Sequence, residues 1–290
     1  FVDVQVQEGD LVAIIRVGAG IGALQQFTSD KRQLYAAVER VKWNPRGVGN
    51  IGAFAPIEPT MSELAAAMGD TTVSEEDIKQ EKDSINAQND FRSSIFATGT
   101  LGALRFVVGG MAELPGRKSV VLFSDGFRLM DRDEMGGTGG GRVMEFLRQL
   151  IDLANRSSVV FYTIDARGLQ TTSITAQDKI TNITSPTAYS EALSSRRDEL
   201  LETQAGLQFL AEETGGFAVI NNNDLAGGVR KVLEDQSYYL ISYEPDTDTF
   251  DAAKRKFNKL DVRVRRDGTK VRYRSGFFNV SDEKINRPLE

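Results

Sequence analysis

Cysteine and histidine are both absent from the 290 residues. Without cysteine there can be no disulfide, zinc–thiolate centre or thiol nucleophile. Without histidine the commonest general base is gone, and with it the Ser-His pair and every imidazole metal ligand. What remains is carboxylate, hydroxyl, lysine and backbone chemistry, and its oxygen donors suit hard cations such as magnesium. No apolar run in the sequence reads as a bilayer span. No secretory leader is recognisable. The chain opens on Phe1 rather than Met, and we read it as a piece of a longer protein, from which targeting information would be missing.

The composition is that of a globular protein, 40% hydrophobic and 26% charged. The length suffices for one large domain or two small ones. The net charge of −6 is unevenly placed: residues 254–274 hold ten Lys or Arg against two Asp, a local +8 that leaves −14 for the rest. Within that stretch Val262-Arg263-Val264-Arg265 and Val271-Arg272-Tyr273-Arg274 alternate with period two, which puts arginines on one face of a strand. A solvated strand face that protects a sheet edge explains this better than a nucleic-acid surface, because no aromatic platform for bases is interleaved.

Two apolar runs of buried-strand length each stop at an acid. Lys118–Ser124 ends at Asp125-Gly126, and Val159–Ile164 ends at Asp165. Between them Val143, Phe146, Leu147, Leu150, Ile151 and Ala154 recur at helical spacing. Further helices are expected over Lys31–Val41 behind a Thr28-Ser29-Asp30 cap, over residues 100–113, over Leu200–Glu213 and over Asp224–Asp235. Strands are expected at Asp10–Val17, paired in a hairpin with Ala23–Phe27, and at Phe217–Ile220. This alternation predicts an α/β fold: a doubly wound, mostly parallel sheet covered on both faces. Residues 44–60 read as a loop and 61–90 as a polar insertion, helical in its second half from Ser74-Glu75-Glu76-Asp77. Residues 167–197 read as a mostly irregular excursion. Three strand-like runs, Ser237–Tyr243, Leu260–Arg265 and Lys270–Phe278, with a turn at Arg266-Asp267-Gly268-Thr269, predict a small antiparallel β appendage. The expected boundaries are a main domain over 1–236, the appendage over 237–280 and a tail over 281–290.

Several signals that imitate known chemistry fail on context. Gly18-Ala19-Gly20-Ile21-Gly22-Ala23 matches a dinucleotide fingerprint, but too few residues follow it for the helix whose amino end must face a pyrophosphate. Gly116-Arg117-Lys118-Ser119 imitates a phosphate loop, yet a strand follows it where a helix should. The glycine run at 136–141 could cradle an anion, but such a run is more often only a flexible connection.

The carboxyl edge of an open α/β sheet is where ligands bind, which singles out Asp125. For Asp165 the favoured role is capping the turn that follows it. Upstream, Thr98-Gly99-Thr100-Leu101-Gly102 reads as the polar opening of an apolar helix, and it would bring hydroxyls to the same edge. An acid and hydroxyls together suggest an oxygen-ligand cation site.

Thr98-Gly99-Thr100-Leu101-Gly102-Ala103-Leu104, followed by Ser119-Val120-Val121-Leu122-Phe123-Ser124-Asp125-Gly126, resembles the von Willebrand factor type A domain. The segment Ala23-Leu24-Gln25-Gln26-Phe27-Thr28-Ser29-Asp30 and the ending Tyr273-Arg274-Ser275-Gly276-Phe277-Phe278 resemble its bacterial VWFA-related branch. The resemblance spans most of residues 1–280. It implies a protein-binding module, not an enzyme, with a metal-ion-dependent adhesion site for Mg2+ or Mn2+. Of the residues that would hold the cation, Thr98 and Asp125 match the family's positions, with Thr98 ranked above Thr100. The partner implied is a protein that offers a carboxylate; nucleic acid and a transmembrane segment are not expected. The resemblance further implies export, to an extracellular or periplasmic location. The family's Asp-x-Ser-x-Ser motif has no counterpart where it is needed, and Asp10 would begin the family's second strand. The expectation is therefore an amino-terminally truncated domain with an incomplete cation site. Two other readings stay open: a phosphoryl-transfer or receiver-like domain using Asp125, and a structural domain with a vestigial site.

Overall fold

The computed structural model describes residues 1–3, 6, 9–17, 26–41, 57–129, 141–176, 178–179, 186–235, 257–269, 271–273 and 276–278. Among them the elements run α1 (Lys31–Glu39), α2 (Met61–Ala67), α3 (Glu75–Met111), β1 (Lys118–Ser124), α4 (Gly141–Arg156), β2 (Val159–Asp165), α5 (Pro186–Glu213), β3 (Ala218–Val219), α6 (Leu225–Glu234), β4 (Phe257–Lys259) and β5 (Gly276–Phe278). The fold is α/β. Its centre is a parallel sheet of order β1-β2-β3, and all seven residues of β2 are buried. A near-continuous β-branched and aromatic run such as Val-Val-Phe-Tyr-Thr-Ile suits a strand covered on both faces.

Helices lie on both sides of this sheet. On one side Leu122 of β1 and Phe161 of β2 join Leu101, Leu104 and Val108 of α3, Leu147 and Leu150 of α4, and Leu207 and Leu210 of α5. On the other, Val160 and Tyr162 pack with Val232 of α6, with Val121 and Phe217 against them. A fully buried Leu or Phe contributes about 1.5–3 kcal/mol, so the larger cluster carries most of the apolar stabilisation. The helical spacing read in α4 is the face it buries: Val143, Leu147, Leu150, Ile151 and Ala154. Hydroxyls stitch α5 to β2, with Thr163 Oγ1 donating to Leu207 O at 3.0 Å and Phe161 N donating to Thr214 Oγ1 at 3.0 Å.

Local capping starts several of these helices where the sequence says it should. Asp30 caps α1 by accepting from Arg32 N. Asp224 caps α6 by accepting from Gly227 N. Ser74 and Asp77 form a capping box at the start of α3.

Four expectations need correction. First, the helix expected over 100–113 is the last part of one 37-residue helix, α3. Once the Ser74–Asp77 box has nucleated it, no proline interrupts residues 75–111, and Gly99 and Gly102 do not stop it. Second, α5 begins at Pro186, so the 167–197 excursion is helical in its later part; proline is well placed at the first position of a helix. Third, Asp10–Val17 is not a strand. Its only ladder contact among the described residues is an isolated antiparallel bridge between Val12 and Thr28, and Val12 and Ile14 instead pack on a small cluster of Val2, Val6 and Leu34. The hairpin's turn and most of its second arm, residues 18–25, lie outside the described residues. Fourth, Leu260–Arg265 is not in a strand, and the antiparallel ladder among the described residues is confined to β4 with β5. Val262 and Val264 are exposed along with the arginines, so no apolar face is being covered. Ser237–Tyr243, the tail 281–290 and most of the glycine run at 136–141 lie outside the described residues.

The basic stretch is nonetheless anchored through Arg272. Arg272 pairs with Asp235 and lies over the Phe217 ring at 5.3 Å from its centroid. Asp235 also accepts from the Tyr162 hydroxyl at 2.9 Å. One helix among the described residues, α3, is long and apolar enough to cross a membrane by length and composition. Its Leu101, Leu104, Val108 and Met111 side belongs to the core.

Candidate functional site

The parallel register sets Ser124 of β1 opposite Asp165 of β2, so both chains leave the sheet at the same carboxyl edge. Asp125 is the first residue beyond β1, and it is exposed. Among the described residues no hydrogen bond or ion pair engages its carboxylate. Gly126 follows with φ +92°, its N–H donating to Ser124 Oγ at 3.0 Å. A Cβ at Gly126 would sit 2.5 Å from the Thr203 carbonyl oxygen. The turn after β1 therefore lies directly against the backbone of α5, and only glycine allows this approach. Phe127 then turns into the core, where its ring lies so close to Gly206 that an added Cβ would be 2.9 Å from Cδ2.

Arg128, the next residue, ties three helical acids to this turn. Its Nη1 meets Asp90 Oδ1 of α3 at 2.5 Å, its Nη2 meets Glu199 Oε1 at 3.8 Å and its Nε meets Glu202 Oε2 at 3.4 Å, the last two on α5. The arginine is mostly buried, which makes these contacts worth more than a surface pair.

Asp165 has a different character from Asp125. Its side chain is 0% exposed. One oxygen accepts from Arg167 N at 3.1 Å and Arg167 Nε at 2.9 Å. The other accepts from Arg167 Nη2 at 2.9 Å and Gln204 Nε2 at 2.9 Å. Gln204 also donates to Asn221 Oδ1 at 3.0 Å, and Arg167 Nη1 donates to Thr203 Oγ1 at 3.1 Å. The expected capping role is present in the bond from Arg167 N. It is one strand of a network joining β2, α5 and the turn after β3.

Burial pushes the Asp165 carboxyl up, but the Arg167 guanidinium and the Gln204 amide outweigh it and hold the group below the usual value of 3.8. A carboxylate lowered in the folded state contributes fully above its unfolded value and loses that contribution as pH falls through the folded one. The urea midpoint should therefore drop as pH is lowered below the usual carboxylate value of 3.8. In Asp165→Asn the same titration should be flatter.

Thr98 is not at a helix start. It lies inside α3, and its hydroxyl donates back to Ser94 O at 2.9 Å and Ile95 O at 3.0 Å. Such back-bonding is the common fate of a mid-helix threonine. Thr100 is inside the same helix. The structure thus places Asp125 at the sheet's carboxyl edge and puts Thr98 and Thr100 within a helix. Replacing Thr98 with Val should change stability by less than about 1 kcal/mol in urea denaturation, because the two carbonyls keep their helical partners.

The same observations test the cation site. Among the described residues no cluster of three or more acids is arranged to hold a metal ion, and the Thr98 hydroxyl is already committed. One exposed carboxylate is too few for Mg2+ or Mn2+, whose octahedral shell would stay almost wholly water. Asp125, Thr98 and Thr100 alone do not fit the group.

Sequence reasoning passed over Arg167, Gln204, Asn221 and Arg128. Only Arg167 left a local signal, in the Asp165-Ala166-Arg167-Gly168 turn; the others are joined by tertiary contacts between residues remote in sequence. Compared with known proteins, the chain matches no family model, no curated protein and no solved structure.

Proposed function

We propose that this chain is a non-enzymatic protein-binding module of the von Willebrand A type. It would meet its partner at the carboxyl edge of the β1-β2-β3 sheet. The observation that carries this reading is the contrast between the two strand-end acids: Asp165 is sealed inside its network, while Asp125 projects, exposed, from a turn braced by Gly126, Phe127 and Arg128. A rigid turn that presents one uncommitted carboxylate suits recognition, since preorganisation lowers the cost of binding.

The sequence resemblance would add Mg2+ or Mn2+ at this edge, met by a carboxylate of the partner. That needs ligands beyond those of the described residues. An exported location and the VWFA-related branch rest on the sequence resemblance alone. The Thr98 back-bond favours one second reading, a structural domain with a vestigial site. A receiver-like domain would need a lysine after a late strand, and the residue there is Asn221, bonded to Gln204.

The test is a magnesium titration followed by amide NMR. The reading expects weak, non-saturating shifts centred on residues 125–128 and abolished in Asp125→Ala. Shifts centred instead on the acidic start of α3, with Asp125→Ala unchanged, would count against it.

A further inference from the structure

Segments 57–60 and 171–179 are remote in sequence, yet they meet at one buried carboxylate. The Asp178 side chain is 0% exposed. It accepts from Ile57 N at 2.8 Å, from Thr175 N at 2.6 Å and from Thr175 Oγ1 at 3.1 Å. It also takes both ends of the Arg196 guanidinium, Nη1 at 3.0 Å and Nη2 at 2.5 Å. Arg196 belongs to α5, and its Nη1 donates to Ser173 O at 3.3 Å as well. A backbone bond from Lys179 N to Ile57 O at 2.9 Å and a Lys179–Glu58 pair at 3.0 Å complete the seam. From there the chain enters α2 through the Thr60–Glu63 capping box. Glu81 of α3 accepts from Met61 N and Ser62 N.

We propose that residues 57–67 and the described residues of 171–179 (171–176, 178 and 179) form one strap, latched to α5 by the Asp178–Arg196 pair, which opens and closes as a unit. Two observations carry this. Among the described residues of both stretches only Thr60 and Asp178 are buried, so polar bonds rather than an apolar core hold the strap. Segments with little buried apolar contact open well below the global unfolding free energy. The latch also joins the two stretches: Asp178 accepts from Ile57 N on one side and pairs with Arg196 of α5 on the other, so displacing its carboxylate frees both from α5. Because residues 171–179 follow the carboxyl end of β2 by only a short turn, opening the strap reshapes the rim of that edge.

Hydrogen exchange on the full 290-residue chain tests this, with Asp178→Asn and a Glu58→Cys/Lys179→Cys pair as variants; the absence of native cysteine makes the engineered disulfide unambiguous. Asp178→Asn should speed exchange about tenfold or more in 57–67 and 171–179 together, with β1, β2 and α4 unchanged. Oxidising the cysteine pair in that background should restore protection to both stretches. Faster exchange in 171–179 alone, or no change in either, overturns the proposal. If Asp178→Asn also loosens β2, the cysteine pair in the otherwise native chain decides. Oxidation must then slow both stretches together, and slowing in only one contradicts the strap.

Discussion

Replacing Asp165 with alanine is expected to lower folding stability by about 3–5 kcal/mol, the usual cost of stripping one partner from a buried charged pair. The loss should exceed that of any surface substitution in the chain. The Arg167 side chain is 9% exposed, and without Asp165 two of its donors and the Gln204 amide would lose an acceptor. Asp165→Asn keeps an acceptor for Arg167 N and should cost less. The informative control is Asp165→Leu with Arg167→Leu, which removes both charges and should recover much of the loss. Urea denaturation followed by far-UV circular dichroism measures all three. A loss below about 1 kcal/mol in Asp165→Ala would mean that the network is not holding β2 to α5.

The second large effect is expected at Gly126. Its φ of +92° disfavours any side chain, and a Cβ would press on the Thr203 carbonyl at 2.5 Å. Backbone strain of about 1–3 kcal/mol adds to an overpacking cost of about 1–3 kcal/mol. Gly126→Ala should also move α5 away from the turn that carries Asp125, and amide shifts at 125–128 and 199–206 should report this while α6 stays unchanged. Gly99→Ala is the contrasting control. Its Cβ would enter open space on α3, and alanine in place of glycine inside a helix should raise stability by up to about 1 kcal/mol.

Asp165 and Gly126 also show how far the sequence was legible. β1, β2 and α4 could be read because their signals are local: apolar runs of strand length, and a helical apolar stripe that is the face α4 buries. The caps of α1, α3 and α6 were equally plain, each a short polar side chain bonding the first turn. Asp125 at the carboxyl edge followed from the abrupt end of its strand. Thr98 misled because a Thr-Gly-Thr step ahead of an apolar stretch looks like a helix start. The competing signal, the Ser74–Asp77 capping box, lies a long way upstream and wins because nothing between the two stops the helix. The alternating Val-Arg pattern at 262–265 misled for a related reason. Period two is necessary for a half-buried strand, but pairing and a surface to cover decide whether it forms. The Asp165–Arg167–Gln204–Asn221 network and the Asp178–Arg196 latch were invisible because their members converge only in the folded chain.

The measurement closest to the central claim is calorimetric titration of magnesium into the 290-residue chain and into Asp125→Ala. If Asp125 is a lone exposed carboxylate on a recognition edge, the native chain shows only weak, non-saturating heats, and these fall to the dilution baseline in Asp125→Ala. Tight, saturable binding with one-to-one stoichiometry, abolished in Asp125→Ala, would show that these residues already form a complete cation site and would contradict the account.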